Sequence, residues 1–190
     1  RAERQTRRLA RSHYENFLVA SLLLPRRLHQ PFYNVYAFCR TADDLADESE
    51  SPDAALRHLD DYQEKLDAVF DGAAPDGLFL ALANTINQFD LTKQPFDDLL
   101  EAFRQDQRKT RYATFDEVID YCRRSANPVG RMVLGLVGSS GDRAYDLSDE
   151  ICTGLQLANF LQDVSRDFHK GRIYLPADEM ERFGVEETMF

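Results

Sequence analysis

Two segments of this chain set acidic pairs into otherwise apolar helical sequence. They are Tyr36-Ala-Phe-Cys-Arg-Thr-Ala-Asp-Asp-Leu-Ala-Asp47 and Gln156-Leu-Ala-Asn-Phe-Leu-Gln-Asp-Val-Ser-Arg-Asp167. Each residue of a helix turns the wheel by about 100°, so Tyr36, Arg40, Asp43 and Asp47 fall within roughly 60° of one another. Val35, Phe38, Ala42, Leu45 and Ala46 occupy a broad arc away from them. Gln156, Asn159, Asp163 and Asp167 form the same narrow polar stripe, with Leu155, Leu157, Ala158 and Leu161 around it. Carboxylates one turn apart can share a hard cation such as Mg²⁺, which prefers oxygen ligands and keeps several waters. Two such helices facing each other could hold Mg²⁺ ions over a diphosphate.

The spacing alone is common. Asp-x-x-x-Asp occurs five times, at 43/47, 67/71, 116/120, 142/146 and 163/167. In an acidic helical chain most such pairs are solvated surface. The pairs at 67/71, 116/120 and 142/146 sit beside turn signals or lack supporting polar residues. The other two have further polar residues upstream on the same face and apolar residues on both flanks, as a pocket wall does.

The chain has 190 residues, enough for one domain with a sizeable core. A net charge of −10 argues against nucleic acid as a partner. Arg1, Arg4, Arg7, Arg8 and Arg11 run against that balance. They read first as a solvated helix face, with an anionic lipid surface or a diphosphate as the alternative. Cys39, Cys122 and Cys152 are odd in number and far apart, which suits small core residues in a reducing, cytoplasmic compartment. His13, His29, His58 and His169 are too scattered to supply a metal cluster. No stretch reaches transmembrane length and no signal peptide is visible, so membrane contact would be peripheral, at the inner face.

Helical spacing runs almost throughout. Pro25 and Pro31 are expected to bracket a short turn before a helix from Phe32 to Glu48. Ser51-Pro52 starts the next, which runs to Asp71-Gly72. Helices then follow over Leu78 to Phe89, from Pro95, from the capping box Thr114-Phe-Asp-Glu117 to about Ser125, and from Pro128 to Val137. Leu147-Ser148-Asp149-Glu150 is read as the start of the second acidic helix. Gly130, Gly135 and Gly138 each cost roughly 1 kcal/mol against Ala in a helix, and signal either close helix packing or room for a long apolar ligand. No strand pattern of useful length and no dividing linker appear. The expected fold class is all-α, a single domain over residues 1–190.

Four segments together resemble the squalene/phytoene synthase family. They are Tyr36 to Asp47, Tyr121-Cys-Arg-Arg-Ser-Ala-Asn-Pro-Val-Gly130, Gln156 to Asp167 and Gly171-Arg-Ile-Tyr-Leu-Pro176. The resemblance implies an isoprenoid-synthase helical bundle around a central cavity and Mg²⁺-dependent chemistry on farnesyl-type prenyl diphosphates. It implies Asp43 and Asp47 as one metal-binding pair, and Asp163 and Asp167 as the other with Asn159 beside them. Arg40 would contact diphosphate, Gln156 and Asn159 would line the site, and Tyr36 and Tyr121 would face the reacting carbons. His13, Phe17, Arg172 and Tyr174 complete the expected substrate-binding set. Within the family the sequence is most similar to the hopanoid-pathway hydroxysqualene synthase branch, through Ser12-His-Tyr-Glu-Asn-Phe17, Leu24-Pro-Arg-Arg27, Gln162 and Ser125-Ala-Asn-Pro-Val-Gly130. That branch converts presqualene diphosphate to hydroxysqualene. Against the family's usual length, the last helices of the cavity are expected to be absent.

Diphosphate leaves only once its charge is neutralised, and the carbocation left behind survives only where bulk water is excluded. Phe17, Phe38, Val133, Leu136 and Val137 are the expected apolar walls, and Ser125, Asn127 and Gln162 are candidates for placing one water. Other readings stay open: condensation of two prenyl diphosphates to squalene or phytoene, a head-to-tail prenyl synthase or terpene cyclase, and a non-catalytic all-α lipid-binding scaffold.

Overall fold

The computed structural model describes residues 2–12, 24–73, 75 and 77–190. In chain order its helices are α1 (Ala2–Ser12), α2 (Arg26–Asp47), α3 (Pro52–Phe70), α4 (Leu78–Phe89), α5 (Gln94–Asp106), α6 (Phe115–Ser125), α7 (Asn127–Val137), α8 (Asp142–Gln162), α9 (Val164–His169) and α10 (Ala177–Phe183). The all-α expectation holds. Among the described residues β pairing is limited to one isolated parallel bridge, Arg111 with Ile173.

Local signals set several boundaries. The Ser51 hydroxyl accepts a hydrogen bond from the Ala54 N–H at 3.2 Å, and Pro52 supplies a preset φ at the first turn of α3. Thr114 caps α6 by accepting from the Glu117 N–H, and the Glu117 carboxylate reaches back to the Ala113 N–H at 2.8 Å. Gly138, at φ +72°, closes α7 in the left-handed region that a side chain would strain.

Three boundaries differ from the sequence expectation. Pro31 does not end a turn; it lies inside α2, which begins at Arg26. The missing N–H leaves the Arg27 carbonyl without its helical donor, and Arg27 is exposed, so water can serve it. The second acidic helix begins at Asp142 rather than near Leu147. Gly141, at φ +124°, turns the chain, and the Asp142 carboxylate sits favourably in the first turn of α8. The second stripe is also not one continuous helix, because the backbone breaks at Asp163 between α8 and α9. The hydrogen bonds Asp163 N to Asn159 O and Asp167 N to Asp163 O, at 2.9 and 2.8 Å, carry the helical spacing across the break.

The main core lies among α2 to α5 and α7. Phe38 packs on Tyr62, Phe96 and Phe79 with ring centroids 5.1, 5.2 and 6.5 Å apart, among Leu59, Leu66, Leu82 and Leu100. Burying each such side chain contributes about 2 kcal/mol. Asn34 is buried in α2, where its amide donates to Ala81 O and Thr85 Oγ1 and its Oδ1 accepts from Thr6 and Gln30, pinning α1 and α4 to α2. A second, aromatic core of Tyr112, Tyr121, Phe160 and Tyr174 joins α6 and α8 to the Gly171–Pro176 segment.

Close packing explains the glycines of α7. A Cβ on Gly130 would meet Ser148 Oγ and lie 2.6 Å from Cys152 Sγ, and one on Gly135 would lie 2.5 Å from Leu91 Cδ2. The room beside Gly130 and Gly135 is filled by α8 and Leu91, so no ligand space opens there. Along α8 itself only Phe160 is fully buried, and Ile151, Leu155 and Leu161 are exposed.

Candidate active site

The two acidic stripes share one hollow of about 790 Å³. Helix α2 contributes Tyr36, Cys39, Arg40, Asp43 and Asp47 from one face, as the wheel requires. Helices α8 and α9 contribute Gln156, Asn159, Phe160, Asp163, Arg166 and Asp167. The expected pairing of Asp43/Asp47 with Asp163/Asp167 around a common space is therefore what the fold produces. Tyr121 and Ser125 enter from α6, one turn apart.

The Gly171–Pro176 segment closes one side. Ile173 N–H bonds to Thr110 O and Ala177 N–H to Tyr112 O, both at 2.9 Å, which holds the segment extended. Side chains alternate along such a piece, so Ile173 is buried behind while Arg172 and Tyr174 line the hollow. Arg172 donates to Asp47 Oδ1 at 2.7 Å, and Lys170 donates to Asp47 Oδ2 at 2.6 Å.

These contacts set the carboxylates apart. Burial, the largest influence on Asp47, pushes its pKa up, but the Lys170 and Arg172 hydrogen bonds outweigh it and hold the group below the usual range. Asp43 is pushed up, first by burial and then by the Asp47 charge, against Arg40. Asp167 is likewise raised by burial and then by Asp163. Arg40 pairs with Asp43 at 3.1 Å and Asp44 at 2.5 Å, and its Nε is buried without a hydrogen-bond partner.

Sequence reasoning missed Asp106, the residue that organises the aromatic wall. It is 7% exposed and accepts hydrogen bonds from the Tyr121 hydroxyl at 2.5 Å and the Tyr174 hydroxyl at 3.0 Å. Burial pushes its carboxyl up to about 6. Tyr121 is driven well above its ordinary value by burial and then by the Asp106 charge. Tyr174 stacks on Phe160, centroids 4.3 Å apart and planes within 8°, and on Tyr121 at 5.4 Å. A signal was available: Asp106 follows Leu99 and Phe103 at helical spacing, and a carboxylate continuing an apolar stripe marks a buried, partnered group. Lys170 and Arg166 were missed as well, because charged residues at the end of an exposed helix carry no such signal.

Other expectations need correction. Phe38 and Leu136 do not wall the hollow. They are core residues, and Val137 is exposed while Val133 packs against the core. The apolar wall is instead made by Leu99, Phe103, Val129 and Phe160, since α2 turns its polar stripe, not its Phe38 face, inward. Asn127 accepts from Thr153 Oγ1 at 3.0 Å beside a different groove, and Gln162 is exposed, so neither is placed to aim water into the hollow. Ser125 does line it, with a buried Oγ that has no hydrogen-bond partner. His13 and Phe17 lie outside the described residues. In the second groove Arg131 pairs with Asp149 and Arg124 with Asp120, which leaves no concentrated charge of one sign there.

The donor set suits a hard cation: every ligand candidate is a carboxylate or amide oxygen. Among the described residues no three acidic, His or Cys side chains converge on one point. Each pair thus offers an ion two carboxylates, and water and phosphate oxygens would complete the shell, as Mg²⁺ commonly requires.

The helical bundle thus gathers paired aspartates, arginines and an aromatic wall around one hollow. The sequence profile of the squalene/phytoene synthase family matches residues 10–190, and the chain belongs to that family. It is 33% identical to the phytoene synthase of Arthrospira platensis over 195 residues, covering 96% of this chain and 63% of that protein. It is 35% identical to the Mycobacterium tuberculosis phytoene synthase, covering 97% of this chain and 60% of that one. Among solved structures, squalene synthase HpnC from Alicyclobacillus acidocaldarius superposes with a TM-score of 0.91 at 49% identity, covering 97% of this chain and 69% of that one. A dehydrosqualene synthase in complex with ligand gives 0.88 at 33%, covering 99% and 65%. The chain thus spans about three fifths of the length of these curated relatives.

Proposed function

We propose that this chain carries the magnesium and diphosphate site of a prenyl-diphosphate-dependent synthase, acting in the cytoplasm. The observation that carries this reading is the shared hollow, with Asp43/Asp47 and Asp163/Asp167 in its walls and arginine donors between them. Asp43, Asp47, Asn159, Asp163 and Asp167 would hold Mg²⁺. When bound, Mg²⁺ supplies Lewis-acid neutralisation of the departing diphosphate.

This chain's own residues do the rest. Arg40 and Arg172 offer planar, permanently charged donors to phosphate oxygens. Leu99, Phe103, Val129 and Phe160 keep bulk water from the apolar part of the substrate. Tyr36 and Tyr121, both in the wall of the hollow, would stand beside the reacting carbons, where a ring face is worth about 2 kcal/mol to a desolvated cation. Asp106 fixes the Tyr121 hydroxyl and so fixes the ring. Ser125 is left as the hydroxyl that can place a water. The exposed Arg4 and Arg8 of α1 would give the protein peripheral contact with an anionic membrane surface, where an apolar substrate resides.

At finer grain the substrate is presqualene diphosphate and the product hydroxysqualene. The 49% identity to HpnC, against 33–35% to the phytoene synthases, supports that branch over condensation to phytoene. Mass spectrometry of products from presqualene, farnesyl and geranylgeranyl diphosphates, with and without Mg²⁺, tests it. The alcohol should form from presqualene diphosphate with Mg²⁺ only, and Asp43→Asn or Asp167→Asn should each cut turnover by at least 100-fold, a barrier increase of about 2.7 kcal/mol. A hydrocarbon made from farnesyl diphosphate alone would move the assignment to squalene synthesis, and Mg²⁺-independent turnover would remove the metal site.

A further inference from the structure

Lys170 and Arg172 reach Asp47 from 123 and 125 residues away in sequence and occupy both of its carboxylate oxygens, at 2.6 and 2.7 Å. The two cations are held differently. Arg172 is 15% exposed, on the segment tied down by Ile173 and Ala177, and its own N–H bonds to Asp167 O at 2.9 Å. Lys170 caps the short helix α9 and is 38% exposed. Its ammonium, on a flexible four-carbon stem, can leave Asp47 without backbone movement.

A cation approaching Asp47 therefore meets oxygens that already have charged partners. A diphosphate in the same hollow changes that, because its oxygens suit an ammonium as well as a carboxylate does. Charge balance points the same way. The carboxylates around the hollow are nearly matched by Arg40, Arg166, Lys170 and Arg172. Two Mg²⁺ ions alone, one at each aspartate pair, would add unbalanced positive charge, whereas two Mg²⁺ ions entering with one fully ionised diphosphate add none.

We propose that Lys170 is a diphosphate-binding residue held on Asp47 until the diphosphate arrives. Magnesium and diphosphate then bind with positive coupling through an exchange of partners. Lys170 moves from Asp47 to a phosphate oxygen, and Asp47 moves from Lys170 to the cation. The inference rests on the assignment of Asp43/Asp47 and Asp163/Asp167 to magnesium.

Isothermal titration calorimetry of the purified protein with MgCl₂ alone, inorganic diphosphate alone, and diphosphate at fixed Mg²⁺ tests it, after correction for magnesium–diphosphate formation in solution. Lys170→Gln should tighten Mg²⁺ binding in the absence of diphosphate, since it removes a competing cation. The same change should weaken diphosphate binding at saturating Mg²⁺, and the coupling factor should fall on the order of fivefold or more. Lys170→Arg should retain most of the wild-type coupling. Opposite signs for the two affinities are the signature, because a merely structural Lys170 would weaken both or neither. Mg²⁺ affinity that is unchanged or weaker in Lys170→Gln overturns the proposal. If Asp43→Asn still abolishes Mg²⁺ binding in that case, the metal assignment stands and only the role of Lys170 falls. A wild-type protein that binds neither ion overturns both.

Discussion

Replacing Asp106 with Asn should change how this protein's stability responds to pH. The carboxyl is 7% exposed and accepts from two tyrosine hydroxyls, yet burial dominates and raises its pKa from 3.8 to about 6. A raised folded-state value means that the folded protein holds this proton more tightly than the unfolded chain. The associated stabilisation is complete below about pH 3.8 and is lost as pH rises through about 6. Two units at 1.36 kcal/mol each amount to about 3 kcal/mol. Asn is neutral across this range, has nearly the same shape and keeps one acceptor oxygen. The stability of Asp106→Asn minus that of wild type should therefore rise by about 3 kcal/mol between pH 4 and pH 7.5. Taking the difference cancels the other carboxylates that titrate in acid. Urea unfolding at several pH values in metal-free buffer with chelator measures it, since a bound cation at Asp47 would alter the charge facing Asp106. A difference that stays flat across the window, or one that shrinks as pH rises, would refute the account of Asp106 as a carboxylate ionised against a burial cost. At neutral pH that cost maintains an ionised acceptor for Tyr121 and Tyr174 and a negative charge facing Arg172.

Asn34→Ala removes the three hydrogen bonds, with Thr6, Ala81 and Thr85, that tie α1 and α4 to α2, and should cost about 3 kcal/mol, at roughly 1 kcal/mol net for each of them. Hydrogen exchange should show α1 losing protection first, and uniform protection in the variant would argue against that role. Gly130→Ala gains helix propensity of about 1 kcal/mol but forces a methyl against Ser148 and Cys152, a clash of about 1–3 kcal/mol. Chemical denaturation should find it destabilised in the wild-type background and rescued when Ser148 and Cys152 are both Ala, and a loss independent of those two residues would refute close packing as the reason for the glycine.

Most helices, several of their caps and both polar stripes follow from local sequence. Apolar spacing at 3.6 residues fixes which side of α2 and α8 can be polar, and Ser51-Pro52 and Thr114 to Glu117 start helices by chemistry within one turn. The stripes Tyr36–Arg40–Asp43–Asp47 and Gln156–Asn159–Asp163–Asp167 are legible for the same reason: a helix carries its angular order wherever it is packed. Tertiary contacts settled what the wheel leaves open. Phe38 could face a hollow or a core, and Tyr62, Phe79 and Phe96 from other helices decided for the core. Gly130 could mean space or contact, and the approach of α8 decided for contact. Asp106, Lys170 and Arg172 gain their meaning from partners dozens to more than a hundred residues away. A carboxylate's charge state and a cation's partner depend on burial and on distances through space, and local periodicity encodes neither.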